Sequence, residues 1–301
     1  MKIKQKVSII IINYNTAQLT INCIHSIIRN IHSVDYEIIV VDNASTDNSA
    51  QRIIELFPDV ILIESPINVG FGKANNLGAK QASGTYLFLL NSDTEIIDDP
   101  FNDFFSFLSL HTNKRIGIIG TFLVDEKGNY SKSGGRFYSA KKYLKLGLYA
   151  YFNMQSKSEV NDKLNAVSVD YVIGADMFLR KDLFDAMNGF DEKIFMYFED
   201  VELNKRIFNA GYESYLLKAG KIMHLSKSSS HSQFSRVYNM ASLMYCLRKE
   251  MSLCCFFLFQ LLYFMIKFPI VFTSINKLKD NIQYITSIFI YKNYLNKESF
   301  I

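Results

Sequence analysis

Apolar positions lay out the first part of the chain as alternating strands and helices. Val7–Ile12 (VSIIII) is β-branched and nearly unbroken, as expected of a strand buried on both faces of a parallel sheet. Over Ala17–Asn30 the apolar residues recur at Leu19, Ile21, Ile24, Ile27 and Ile28, a helical stripe. Glu37–Val41 (EIIVV) predicts a second buried strand ending at Asp42. Ser45–Ser49 (STDNS) then supplies N-cap chemistry for a helix over Ala50–Phe57. Val60–Glu64 reads as strand, Lys73–Ala82 as helix and Tyr86–Leu90 (YLFLL) as strand. This rhythm predicts an α/β fold: an open, mostly parallel sheet flanked by helices.

The rhythm then changes. Phe101–His111 predicts a helix, Ile116–Val124 a strand and Asp125–Asn129 a turn, whereas Tyr130–Leu164 has no clear period. Val169–Arg180 reads as one strand, followed by helices over Lys181–Met187 and Glu199–Ala210, the latter stopped by Gly211. Ser214–Ile222 is the last predicted strand, ending at His224, and the Ser-rich stretch Ser226–Ser235 predicts a mobile loop. A division is therefore expected between an α/β domain over 1–225 and a loop with a hydrophobic helical tail over 226–301.

In that tail, Leu253–Ile275 is long enough to cross a bilayer on length alone. Lys267 and Pro269 interrupt it, and basic residues flank both ends: Arg248 and Lys249 before, Lys277 and Lys279 after. Such symmetry gives no orientation signal. Lysines among aromatics favour an interfacial or re-entrant helix, peripheral rather than integral, over a true span, and a helix packed on the domain or a partner is the third reading.

Composition narrows the function classes. Apolar residues at 49% against 21% charged argue for a packed core, and a net charge of only +4 lacks a nucleic-acid footprint. Cys23, Cys246, Cys254 and Cys255 show neither zinc-ligand nor CxxC spacing, which points to a reduced, cytosolic compartment. The Val7–Ile12 run is too short for a signal peptide or a spanning helix.

Ligands of open α/β sheets bind beyond the carboxyl ends of the strands. Those ends carry Asn13-Tyr14-Asn15, Asp42-Asn43, Asn91-Ser92-Asp93 and, later, His224. Each could equally punctuate a turn, since Asn, Asp and Ser bond their own backbone. Four such ends on one edge of one sheet favour a site. Asn68-Val69-Gly70-Phe71-Gly72 precedes a helix, so its glycines could cradle a diphosphate, although a plain β-α turn would use the same residues. Asn75, on that helix, joins the candidate donor-binding set. Asp93 could ligate a hard cation such as Mg²⁺ or Mn²⁺ held also by diphosphate oxygens, with His224 completing the set. Glu199-Asp200 opens a helix, where acids also suit the helix dipole; the functional reading is a general base in a partly apolar cleft.

In order, VSIIIINYNT, EIIVVDNASTDNS, NVGFGKANNLGAKQASGTYLFLLNSDTEI, GADMFLRKDLFDAMNGFDE and FMYFEDVELNKRIFNAGY resemble the family 2 glycosyltransferases, and most of all their bacterial rhamnosyltransferase-like branch. The resemblance runs over residues 6–225 apart from 130–165. It implies a GT-A fold, with Asp42 recognising the base of a nucleotide-sugar donor and Asn13–Asn15 lining its pocket. Asn91-Ser92-Asp93 takes the place of the family's DxD motif, with Asp93 as the metal contact, and Asp200 matches the catalytic base. His224 falls where related enzymes place a further metal ligand, but HLSKSSSHSQ lacks the glycine expected in the loop that follows. The implied reaction is inverting transfer from dTDP-rhamnose or a UDP-sugar to a lipid-linked saccharide at the cytosolic face of the inner membrane, in O-antigen or capsule synthesis. Two rivals remain. A nucleotidyltransferase would carry a Gly-rich basic loop after the first strand, which NYNTAQ does not provide. A non-catalytic, membrane-tethered nucleotide-sugar-binding subunit would not need both Asp93 and Asp200.

Overall fold

A computed structural model describes residues 3–149, 165–225, 233–272 and 277–295. In chain order the elements begin β1 (Ile3–Asn13), α1 (Ala17–Asn30), β2 (Val34–Asp42), α2 (Ser49–Leu56), β3 (Ile61–Glu64), α3 (Phe71–Gln81) and β4 (Tyr86–Asn91). There follow β5 (Thr94–Ile96), α4 (Phe101–Leu110), β6 (Ile116–Thr121), β7 (Gly134–Gly135), α5 (Ala140–Tyr149), β8 (Ala166–Val169), β9 (Tyr171–Val172), β10 (Asp176–Arg180) and α6 (Lys181–Ala186). The last are α7 (Glu199–Asn209), β11 (Glu213–Leu217), β12 (Ile222–His224), α8 (Gln233–Glu250), α9 (Leu253–Lys267) and α10 (Leu278–Thr286), with 3₁₀ turns at Phe268–Phe272 and Tyr291–Tyr294.

The chain divides into two compact units. Met1–Arg136, Val160–Glu192 and Glu199–Lys227 form one; Phe137–Glu159, Lys193–Phe198 and Ser228–Ile301 form the other. The first is built on an eight-stranded sheet in the order β3-β2-β1-β4-β10-β6-β11-β8. β1 to β4 run parallel, β10 lies antiparallel between β4 and β6, β11 is parallel to β6, and β8 is antiparallel to β11. Successive β1 side chains enter opposite cores. Val7, Ile9 and Ile11 pack with α1 and α4, while Ile10 and Ile12 pack with α3, α6 and α7. Burial on both faces is why the VSIIII run does not alternate with polar residues.

Two predicted strands are broken, for local reasons. Val169–Arg180 is not one strand: Ile173-Gly174-Ala175 leaves the ladder between β9 and β10. There the Gly174 N–H donates to Asp200 and the Ala175 carbonyl accepts the Asn91 N–H, so neither group is spent on a continuous strand. Ser214–His224 divides at Lys218–Lys221, where Gly220 turns with φ +38° and a Cβ would meet the Asp98 carbonyl at 2.7 Å. The divided segment sends β12 to pair with β5 in a separate two-stranded sheet. The helix over Ser49–Leu56 starts after Asn48, a left-handed residue with no side-chain cap; Asp47 instead accepts the Ser49 N–H at 3.2 Å. Of the predicted loop Ser226–Ser235, residues 226–232 lie outside the described residues, and α8 already begins at Gln233.

The second unit has its own core, formed from Phe195, α8, α9 and the residues around the last 3₁₀ turn. α9 buries Phe256, Phe259, Gln260, Tyr263 and Lys267, one face at helical spacing. Its other face carries exposed Leu253, Phe257, Leu258, Leu261 and Met265. Lys267 therefore interrupts the buried face, 5.6 Å from the Tyr263 ring, and leaves the outer face apolar. Pro269, which lacks an N–H, falls where α9 gives way to the 3₁₀ turn, and residues 273–275 of the apolar run lie outside the described residues.

Candidate active site

The carboxyl ends of β1 and β2 are locked side by side. Asn13 pairs in register with Asp42, and its amide donates to Asp42 Oδ1 at 2.7 Å and to Ser45 Oγ at 3.0 Å. Asn13 Oδ1 accepts from Thr16 and Thr20. Its side chain is fully buried and spent internally, so it braces the pocket rather than lining it. Asp42 Oδ2 accepts the Ser45 N–H at 3.0 Å, which leaves the carboxylate with lone pairs to spare at the strand end. Asn15, at φ +53°, accepts the Thr46 N–H at 2.7 Å, and Tyr14 beside it is exposed.

The next wall is a set of amides. Asn43 donates to Asn68 Oδ1 at 3.0 Å and accepts the Val69 N–H at 2.8 Å, while Asn68 Oδ1 also accepts the Gly70 N–H. Gly70 sits at φ +88°, which favours glycine and swings the chain into α3. The first intrahelical bond is Ala74 N–H to Gly70, so the preceding N–H groups of α3 have no intrahelical acceptor. Asn75 is buried and donates back to Phe71 within α3.

β4 ends in the third group. The pairing of β12 with β5 sets His224 opposite Thr94 and brings His224 Nε2 to 3.3 Å from Asp93 Oδ1. The Leu225 N–H donates to the Asp93 carbonyl, fixing the turn. Ser92 Oγ lies 3.4 Å from Thr16 Oγ, and Asn91 Oδ1 is buried without a hydrogen-bond partner. On the neighbouring strand Asp176 is fully buried: its Oδ2 accepts the Thr121 N–H and hydroxyl at 2.6 Å, and its Oδ1 has no partner. Burial pushes this carboxyl up to about 7, against the pull of the Thr121 donors and of His224.

A divalent metal is compatible with this corner. Among the described residues no group of three or more His, Cys, Asp or Glu side chains is placed to hold a metal ion, but Mg²⁺ and Mn²⁺ need only one or two protein ligands when substrate phosphates supply the rest. Asp93 and His224 meet that requirement, and the unpartnered oxygens of Asn91 and Asp176 add acceptor character nearby in sequence and sheet.

Asp200 lies in the first turn of α7. Its Oδ2 accepts the Gly174 N–H at 3.0 Å and its Oδ1 accepts the Val201 N–H at 2.7 Å. A Cβ on Gly174 would come 3.1 Å from the Phe71 ring, so glycine permits this close approach. Burial raises the Asp200 carboxyl, opposed by those N–H donors and by Lys132. Glu199 is raised by burial and then by the charge of Asp200, and its Oε2 has no partner. Two adjacent carboxyls do not both ionise readily. The two N–H donors favour the ionised form at Asp200, while burial and the charge of Asp200 both push Glu199 toward its protonated form. Just before them, Tyr197 and Phe198 sit at φ +68° and +66°, a backbone region costly for bulky residues.

Two residues of the site were not singled out from sequence. Asp176 had a signal, a lone acid opening the apolar strand DMFLR. Asn204, fully buried in α7, donates to Val172 and accepts its N–H, clamping β9 against the helix that carries Asp200. A polar residue inside an amphipathic helix gives no comparable signal.

The family model for glycosyl transferase family 2 matches residues 8–186. The chain belongs to glycosyl transferase family 2. This family 2 chain is 24% identical over 203 residues to an N-acetylglucosaminyl-diphospho-decaprenol L-rhamnosyltransferase of Mycobacterium tuberculosis, with 62% of this chain and 66% of that protein covered. It is 25% identical over 228 residues to the rhamnosyltransferase WbbL of Escherichia coli K12, covering 71% of this chain and 83% of that one. Its fold is similar to that of Staphylococcus aureus TarS, with TM-score 0.58 and 15% identity over 95% of this chain and 49% of the other. It also resembles GalNAc-T7, solved with UDP, GalNAc and Mn²⁺, with TM-score 0.55 and 14% identity over 75% and 44% of the two chains. The expected fold and the rhamnosyltransferase-like family assignment are thus met.

Proposed function

We propose that the chain is an inverting transferase, moving a sugar from a nucleoside-diphosphate donor to a hydroxyl of a lipid-linked saccharide in cell-surface polysaccharide synthesis. The observation that carries this reading is the Asp93–His224 pair at 3.3 Å, set at the end of the β4 strand in a family 2 transferase. Asp42, Asn43 and the Asn68–Gly70 turn form the donor side. Asp93 and His224 would hold Mg²⁺ or Mn²⁺, which when bound offsets negative charge on the departing diphosphate.

Asp200 is the base in this reading. As the acceptor oxygen bonds to the anomeric carbon, the hydroxyl proton passes to the Asp200 carboxylate and the bond to the diphosphate breaks with its electron pair. Attack from the face opposite the leaving group makes one displacement, which inverts the centre. The Gly174 and Val201 N–H groups orient the carboxylate, and Glu199, pushed toward its protonated form, adds little competing charge.

Relatives that are rhamnosyltransferases, one of them acting on a diphospho-decaprenol acceptor by name, support dTDP-rhamnose as donor and a lipid-linked acceptor, with UDP-sugars as the other donor class. The apolar outer face of α9 supports peripheral seating on the cytosolic leaflet. The test is a screen of nucleotide sugars for release of free nucleoside diphosphate, with Mg²⁺, Mn²⁺ or chelator, and the product anomer read by NMR. A retained anomeric configuration, or turnover indifferent to chelator, would sink the mechanism. Release by a carbonate or high-salt wash separates peripheral from spanning association.

A further inference from the structure

The second unit holds a cavity of about 450 Å³, lined by residues of α8, α9 and α10 and by Tyr197. Volumes of about 300–1,000 Å³ are those of small-molecule sites. Tyr197, Tyr263 and Tyr284 give it aromatic walls, Arg236 and Asn239 contribute a charge and an amide, and among its described lining residues there is no acid. Tyr197 is held at φ +68°, and its hydroxyl donates to Ser235 Oγ at 2.8 Å. A bulky side chain in that backbone region is costly, and such strain collects at ligand sites.

The charge of Arg236 meets no carboxylate among the described residues. Its two terminal nitrogens both donate to Asn281 Oδ1 at 3.2 Å, and its guanidinium lies 4.6 Å from the centre of the Tyr284 ring. The Asn281 amide donates in turn to the Ile270 carbonyl at 2.9 Å, which turns its oxygen toward Arg236. Arg236 follows Gln233-Phe234-Ser235 near the start of α8, the helix end where the dipole favours anions, not cations. A second cation stands beside the wall. Lys267, 8% exposed, lies with Nζ 5.6 Å from the Tyr263 ring and has no acid partner among the described residues. Burial, and then the charge of Arg236, hold its ammonium below the ordinary lysine value. Buried cations are ordinarily paired with acids; these two repel each other, and an anion bound at Arg236 relieves that repulsion.

Charge and shape narrow the anion. A phosphate ester carries about −1.5 to −2 charge near neutral pH and accepts the paired N–H donors of a guanidinium, so it answers two cations better than one carboxylate does. Tyrosine faces suit the C–H faces of a pyranose. Asn239 is exposed, with its amide unspent among the described residues, and offers a donor and an acceptor to sugar hydroxyls. In the transfer proposed above, the donor is provided for by Asp42, the Asn68–Gly70 turn, Asp93 and His224, whereas the lipid-linked saccharide has no site assigned. We propose that the cavity at Arg236 binds the sugar–phosphate junction of that acceptor, with Arg236 and Lys267 answering the phosphate and the tyrosines the sugar. This rests on the transferase reading and deepens it by giving the acceptor's anionic group a place.

Calorimetry on the full chain tests this, with chelator present so that no divalent ion assists the donor residues. Glucose 1-phosphate and N-acetylglucosamine 1-phosphate serve as glycosyl phosphates, with inorganic phosphate and the two free sugars as comparisons. At least one glycosyl phosphate should bind roughly tenfold or more tightly than inorganic phosphate or its own free sugar. Arg236→Gln should weaken that binding by roughly tenfold or more, the loss expected for a charge-assisted contact. Lys267→Met should weaken it as well. Lys277→Gln with Lys279→Gln, exposed cations that do not line the cavity, should leave it unchanged. Absence of glycosyl phosphate binding, no loss in the Arg236 variant, or an equal loss in the control pair would each overturn the proposal. So would inorganic phosphate binding as tightly as the glycosyl phosphates. Thermal midpoints are read in parallel. If Arg236→Gln does not fold, Arg236→Lys, which keeps the charge without the planar fork, makes the same comparison and should still bind clearly less tightly than wild type. In transfer assays Arg236→Gln should raise the acceptor KM against an unchanged donor KM. Failure of the transferase reading itself shows in the nucleotide-sugar screen, on which these titrations do not depend.

Discussion

His224 Nε2 and Asp93 Oδ1 lie 3.3 Å apart although 131 positions separate them in sequence, because β12 returns antiparallel to the short strand β5. The register that sets His224 opposite Thr94 makes the contact, and the Leu225 N–H on the Asp93 carbonyl holds it. In the function proposed above, this carboxylate and imidazole would hold a divalent ion whose remaining ligands include the oxygens of a diphosphate.

Asp93→Ala should therefore remove the metal-dependent part of nucleoside-diphosphate binding. Calorimetry with Mn²⁺ present should show affinity falling by roughly tenfold or more, the loss that about 1.4 kcal/mol represents. With chelator present the two proteins should bind alike. His224→Ala should act in the same direction. Equal metal dependence in wild type and Asp93→Ala would remove the assignment.

Asp200→Asn keeps the shape of the side chain and removes its basicity. Transfer should fall by at least ~10²-fold, while donor affinity is retained. Glu199→Gln should stay within a few-fold of wild-type turnover at neutral pH, because burial and the charge of Asp200 already push Glu199 toward its neutral form. Since burial raises both carboxyls, the acid limb of the wild-type rate profile should lie above the ordinary Asp range of about 4. A profile flat down to that range would contradict the pairing.

Most of the sheet could be read from the sequence because a strand buried on two faces must be apolar at every position, as Ile9–Ile12 and Leu87–Leu90 are. The polar residues that end those strands stood out by contrast. Features that depend on non-local backbone bonding leave no such mark in the sequence. Nothing in VDYVIGADMFLR announces that Gly174 leaves the ladder to hold Asp200, or that Ala175 turns its carbonyl to Asn91. Nor does composition distinguish Asn13, whose amide is spent on Asp42 and Ser45, from an asparagine open to a ligand. In the tail, Lys267 read as a break in an apolar run, yet it lies on the packed face of α9.

The cysteines offer a chemical check on that helix. Cys23 is buried, and burial raises its thiol to about 12, so it should resist a polar maleimide in the native protein. Cys254 and Cys255 are exposed in the first turn of α9 and should react. Adding vesicles should slow their modification, read by intact-mass spectrometry, while Cys23 stays silent until the protein is unfolded. Labelling rates unaffected by vesicles would place this end of α9 outside the bilayer.

Acid stability should depend on a carboxylate far from the chemistry. Glu37, early in β2, accepts Lys6 Nζ at 2.8 Å, Ser8 Oγ at 2.5 Å and the Ser83 N–H at 2.7 Å. Burial by itself raises its pKa, but these donors outweigh burial and bring it down from 4.5 to about 2. A carboxyl held low in the folded state stabilises the fold above the unfolded value and loses that contribution as pH falls toward the folded one. With the side chain 14% exposed, the shift corresponds to no more than about 3 kcal/mol. Glu37→Gln should therefore be less stable than wild type at neutral pH, by up to that amount in urea unfolding. The gap should narrow between about pH 5 and about pH 2, because the wild-type carboxyl becomes protonated in the unfolded chain first and in the folded chain last. A gap that stays constant across that window would mean that Glu37 acts through shape, not charge.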